Sequence, residues 1–158
     1  VAYTYPTIEQ AYAALFGLVA NTTLVGTNVA AFKRAERDIR LWDEIEKQGR
    51  AGLPALLQEE ADCEYISQPN MPTIIKLEAQ LLIIAEPTDA VKVPSTTINT
   101  LLDALLSALR PDPSADGMQT LGGLVYDAKP FGRGAIREAT RDDSFCYAFL
   151  PVLITLYA

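Results

Sequence analysis

The sequence predicts an α+β fold: a mixed, mostly antiparallel sheet of about four to five strands flanked by two main helices. Three observations predict it. Residues 55–66 and 73–85 alternate apolar and polar side chains on either side of "QPNMP" at 68–72, as an antiparallel hairpin does. Residues 7–20 and 95–109 repeat apolar side chains at helical spacing. The last run, 144–157, is apolar on both faces, which suits a strand within a packed sheet. With 158 residues, a single domain over 1–158 is expected, long enough to bury roughly 70% of its unfolded surface.

The first helix starts at Thr7-Ile8-Glu9-Gln10, a capping-box pattern, and continues through Ala11, Tyr12, Leu15 and Val19. Residues 29–48 carry two periods at once. Val29, Phe32, Ala35, Ile39, Trp42 and Glu46 are spaced as on a helix, while Ala35, Arg37, Ile39 and Leu41 alternate as on a strand; periodicity alone favours a helix. In the hairpin, Leu57, Ala61, Cys63 and Tyr65 should share one face, and Gln58, Glu60, Asp62 and Glu64 the other. In its second strand Ile75, Leu77, Ala79, Leu81 and Ile83 should point inward, with Lys76, Glu78 and Gln80 outward.

After a connector at 87–94, Ser95, Thr96 and Thr97 offer caps to the second helix. Its apolar stripe is Ile98, Leu101, Leu102, Leu105 and Leu109, and Pro111 stops it. "PDPSADG" at 111–117 is a loop. A strand over about 119–129 follows, interrupted by Gly122-Gly123, which reads as a bulge or a close backbone approach. A polar, glycine-bearing connection leads to the final strand. There Cys146, Ala148, Leu150, Val152, Ile154 and Leu156 form one row, and Phe145, Tyr147, Phe149 and Tyr157 the other. The second row needs a cover, supplied by a helix on that face or by a neighbouring subunit. Pro151 cannot donate to a ladder, which predicts an edge strand or a bulge there.

Composition removes several functions. The net charge is −7, which opposes sequence-independent binding to nucleic-acid phosphates. The chain contains no histidine, and so lacks the commonest general base and metal ligand. Neither a dinucleotide fingerprint nor a P-loop is present. Cys63 and Cys146 both fall on expected core-facing rows, where a thiol is inert. Two such distant cysteines form no disulfide framework, which points to a reducing compartment. Glu60, Asp62 and Glu64 on one strand face suit a solvated surface better than a calcium site, whose ligands wrap around a turn. The opening "VAYTYPTIEQ" has no basic stretch of the kind a secretory signal carries, and no run is long enough to span a bilayer. The expectation is a soluble protein with no catalytic, cofactor-binding or metal-ligating residues.

Arg133, Arg137 and Arg141 recur every four residues in "FGRGAIREATRDDS". This is the pattern of a helical turn, of a solvated loop, or of an arm displaying arginines to an acidic partner. Residues 130–143 offer only Phe131 and Ile136 as large apolar anchors, so a mobile arm that orders on a neighbour is expected.

"INTLLDALLSALRPDP", "QTLGGLVYDAKPFGRG" and "FLPVLITLYA", within 95–158, resemble the tail terminator, or tail-completion, family of tailed bacteriophages. Upstream the resemblance is looser, in "KRAERDIRLWDEI" and "LPALLQEEAD". After Phe131 the chain departs from the family pattern, interleaving Glu138, Asp142 and Asp143 with the arginines where the family is acidic. The resemblance implies a strand over about 30–40, followed by a helical turn at 42–47. It also implies a structural virion protein, assembled in the host bacterial cytoplasm, that forms a sixfold ring at the top of the tail. Such a ring stops tube growth and joins the tail to the head connector. The implied partners are further copies of this chain, the major tail tube protein and the head-closure protein, with DNA only as passing cargo and no membrane. Phe131, Arg133, Ile136, Arg137, Arg141, Phe145, Tyr147 and Phe149 are then candidate interface residues. Glu60, Asp62 and Glu64 are candidates to face the bore, where their charge would repel passing DNA. The same residues leave open a head-closure ring one layer higher, or a small α+β ligand-binding domain.

Overall fold

Every long element meets the last strand or the strand beside it. The computed structural model describes residues 5–87, 93–111, 113–140 and 143–158. In chain order the elements are α1 (Ile8–Ala20), β1 (Arg34–Glu36), α2 (Trp42–Gln48), β2 (Ala55–Ile66), β3 (Ile74–Ala85), α3 (Ser95–Ala108), β4 (Asp127–Pro130), β5 (Ala135–Arg137) and β6 (Cys146–Tyr157). Short 3-10 turns join some of them. The sheet order is β1-β2-β3-β6-β4, and β5 also pairs with β6. Only β1–β2 is parallel. The fold is therefore α+β, with six strands rather than four or five; two of the six are only three residues long.

α1 begins as expected. Thr7 accepts from the Gln10 amide, and the Gln10 side chain returns to the Thr7 amide at 2.8 Å. Ala11, Tyr12, Leu15 and Val19 are buried against the sheet. α3 packs on the same face through Ile98, Leu101, Ala104 and Leu105. Its start differs from expectation: Pro94 is the N-cap, and no side chain caps the helix. The helix that periodicity favours over 29–48 forms only at its end, as α2; the strand that the resemblance implies over 30–40 is reduced to β1, and its helical turn at 42–47 is α2.

The central hairpin and β6 form the bulk of the sheet, with Ile75, Leu77, Ala79, Leu81 and Ile83 buried as expected. A second, smaller core lies on the opposite face, where Ile45 of α2 meets Leu53, Leu57, Leu82 and Ile84. Phe145, Tyr147 and Phe149 pack against it. A short helix thus covers part of the second apolar row of β6.

Three expectations about strands are corrected. First, Gly122-Gly123 is not within a strand. Leu121, Gly122 and Gly123 all have positive φ (50°, 78° and 87°) in a turn tied to the Thr120 carbonyl, and β4 begins only at Asp127. Glycine fits because no Cβ opposes the left-handed conformation. Second, β6 is an interior strand despite Pro151. The Pro151 carbonyl accepts from the Phe131 amide at 3.1 Å, so the proline's missing N–H faces the gap between β4 and β5. In an antiparallel strand a residue's N–H and C=O point to the same side. Third, the alternation in β2 breaks. Glu60 is level with Ala79 but Cys63 with Leu77, so β2 carries a bulge and its faces exchange. Gln58, expected outward, is buried, while Cys63, Ala61 and Tyr65, expected inward, are exposed.

Candidate functional site

Among the described residues no group of three or more His, Cys, Asp or Glu side chains is placed to hold a metal ion, and no helix is long and apolar enough to cross a membrane. The Cys146 thiol is buried, and burial pushes its pKa up. The distinctive features lie at the two edges of the sheet.

One edge is β2. β1 covers it only at Ala55–Leu57, and from Gln58 to Ile66 it hydrogen-bonds on one side alone, to β3. Glu59, Asp62 and Glu64 take part in none of the ion pairs among the described residues. Glu60 does: Arg37 holds it through two nitrogens and also grips Glu9 of α1 at 2.7 Å. The Arg37 guanidinium holds the Glu9 carboxyl below the usual range. The row of three carboxylates expected from alternation does not exist. The bulge sets Glu60 level with the buried Ala79 and Glu64 level with Lys76, on opposite faces.

Tyr12 fixes the base of this edge. Its hydroxyl donates to the Glu78 carbonyl at 2.9 Å, opposite the bulge, where Glu78 has no ladder partner in β2. Its own carbonyl accepts from the buried Gln58 amide at 3.0 Å. Burial, helped by the nearby carboxylates led by Glu60, raises the Tyr12 pKa to about 12. Beyond that point the hairpin projects, with Tyr65 and Met71 62% and 61% exposed.

The other edge is β5, within the segment expected to be a mobile arm. Here residues 135–137 pair with Tyr147–Phe149 of β6 and leave their outer side open. Gly134 allows the approach, because a Cβ there would lie 2.5 Å from the Phe149 carbonyl oxygen. Arg133, Ile136 and Arg137 are exposed, and neither arginine has an ion-pair partner among the described residues. They lie on and beside a strand, not on a helical turn. Phe131 is half-buried; Arg141 lies outside the described residues. Beside β5, Leu102 and Leu106 of α3, Ile136, Phe149 and Leu150 line an apolar groove of about 320 Å³.

Phe145, Tyr147 and Phe149, expected at an interface, are half-buried within the chain's own fold. The Tyr147 ring stacks on Trp42 with centroids 5.5 Å apart. Both donate to the same Glu46 oxygen, Trp42 at 2.6 Å and Tyr147 at 3.0 Å. Burial and the Glu46 carboxylate raise the Tyr147 pKa. Sequence reasoning missed the Arg37 clamp, the Trp42–Glu46–Tyr147 contact and the exposed Met71. Only Met71 left a signal: a methionine in a proline-bounded turn has no core to enter.

No protein-family model matches the chain, and neither does any curated protein sequence.

Proposed function

We propose that the chain is a structural subunit of a phage tail terminator, a ring that caps the head-proximal end of the tail tube. The observation that carries this reading is the pair of unlike, unfinished edges on opposite sides of one sheet: the acidic edge of β2 and the arginine-bearing edge of β5. A chain with two unlike complementary edges joins head to tail, and such contacts close into a ring when the rotation per subunit allows. Capping then needs no turnover. One side of the ring matches the end of the tube and the other does not repeat it, so addition stops. The ring's partners in this reading are the tube protein below and the head connector above, with DNA passing through. Its place is the top of the tail in the virion.

Production of the phage without this protein tests the reading. Overlong tails without heads are expected. Tails of normal length without heads would identify the neighbouring neck ring instead, and normal tails attached to heads would overturn a role in tail completion.

A further inference from the structure

Building on the ring reading, we propose that the joint between copies is an antiparallel strand pair: β5 of one copy on the free edge of β2 of the next, with Arg133 and Arg137 against the β2 carboxylates.

Strand direction supports the pairing. β2, β3 and β6 alternate in direction, and β5 runs against β6. β5 therefore runs opposite to β2, and a neighbour added in the same orientation presents β5 antiparallel to β2. Charge supports it too. The β2 edge offers Glu59, Asp62 and Glu64 without ion partners among the described residues, and the β5 edge offers Arg133 and Arg137 in the same condition. Opposite charges across strands favour a pairing, and like charges oppose it.

The ladders also set the register. Arg137 lies level with Tyr147, Ile84, Ala55 and Arg34 in turn, and Ala135 with Phe149, Leu82, Leu57 and Glu36. β1 and β5 thus occupy the same rows at opposite edges. A neighbour placed straight across would set its Arg137 against Arg34 of β1, whose guanidinium already takes up Glu36 and Glu44, so that no free carboxylate meets it. Shifting it four residues along β2, about 13 Å at ~3.3 Å per residue, clears β1 and keeps the faces matched. Arg137 then lies opposite Glu59, and Arg133 reaches the stretch around Asp62 and Glu64. β1 acts as the stop that enforces this stagger, and staggered strands tilt relative to the axis of a closed ring.

A designed disulfide provides the test. Cys63 is exposed on the β2 edge and Cys146 is buried, so Cys63→Ser removes the accessible native thiol. In the full chain carrying Cys63→Ser with Glu59→Cys and Arg137→Cys, which the register sets opposite each other, mild oxidation should yield a disulfide-linked ladder ending at the ring. Either new cysteine alone should yield none. Reversing the arginines (Arg133→Glu with Arg137→Glu) should raise the concentration needed for association at least about tenfold. Adding Glu59→Arg and Glu64→Arg should return it to within about threefold of wild type. These side chains are exposed or half-buried, and circular dichroism checks that each variant is folded. Rings that form normally without cross-linking or charge sensitivity would overturn this joint and leave the ring reading standing. Wild-type protein that stays monomeric by mass, alone and with tail tubes, would overturn both.

Discussion

Replacing Tyr12 with phenylalanine isolates the bond that anchors the bulged edge. The ring stays, so the packing of α1 is kept. The hydroxyl is lost, and with it the 2.9 Å bond to the Glu78 carbonyl. An ordinary hydrogen bond contributes about 1 kcal/mol net, and a buried acceptor left unpaired adds a cost of about 1–3 kcal/mol. Water can reach the partly buried Glu78, which favours the low end. A loss of about 1–2 kcal/mol at pH 7 is expected from urea unfolding. The same hydroxyl gives a second signature. Its pKa is about 12 in the fold and about 10 in an unfolded chain. The neutral form is the one the fold favours, so this contribution is fully present below pH 10 and is lost as pH rises from 10 towards 12. The slope approaches ~1.4 kcal/mol per pH unit. Tyr147, whose pKa is also raised, adds to the alkaline loss in both proteins. Wild type should thus destabilise more steeply than Tyr12→Phe between pH 10 and 11.5. Equal stability at pH 7 together with equal alkaline slopes would refute the reasoning.

Two further perturbations follow from the packing. Leu81 is fully buried at the centre of β3, and Leu81→Ala should cost about 3 kcal/mol through lost burial and a residual cavity, read as a lowered urea midpoint at unchanged slope. Gly134→Ala forces a Cβ to within 2.5 Å of the Phe149 carbonyl; it should release β5, seen as faster amide exchange at residues 135–137 with β3 unaffected. In wild type those amides should become more protected on assembly, if the β5 edge lies on a neighbour; protection that is equal and strong in free and assembled protein would place the segment wholly within the monomer's own fold.

The legible parts of the sequence were those where one local rule acted alone. The capping box at Thr7 and Gln10, the alternation of β3 and the leucine stripe of α3 each needed only a period or a cap. Alternation misassigned β2 because both faces of its first half are covered, which buries Gln58, while its far half projects uncovered, so that Cys63 and Tyr65 are exposed although they lie level with the buried Leu77 and Ile75; the bulge between Glu60 and Cys63 carries no residue signature. The double glycine reads as part of a strand because the apolar residues around it also suit one, whereas its positive φ values belong to a turn. Pro151 predicts an edge or a bulge because its missing donor requires an unpaired side, and that side is a gap between two short strands. The second core was half legible. The two-faced β6 called for a cover, but nothing local linked Trp42 and Glu46 to Tyr147, about a hundred positions along the chain. The opposed edges were visible only as charge runs, since their placement depends on sheet order.

The central claim is that this chain closes into a ring that ends a tube. Native mass measurement of the purified protein, followed by imaging after mixing with growing tail tubes, tests it directly. A single closed oligomer of about six copies, seated at one end of each tube and halting its growth, is the result the account predicts. Tubes that lengthen unchanged, with the protein monomeric or scattered along their sides, would contradict it.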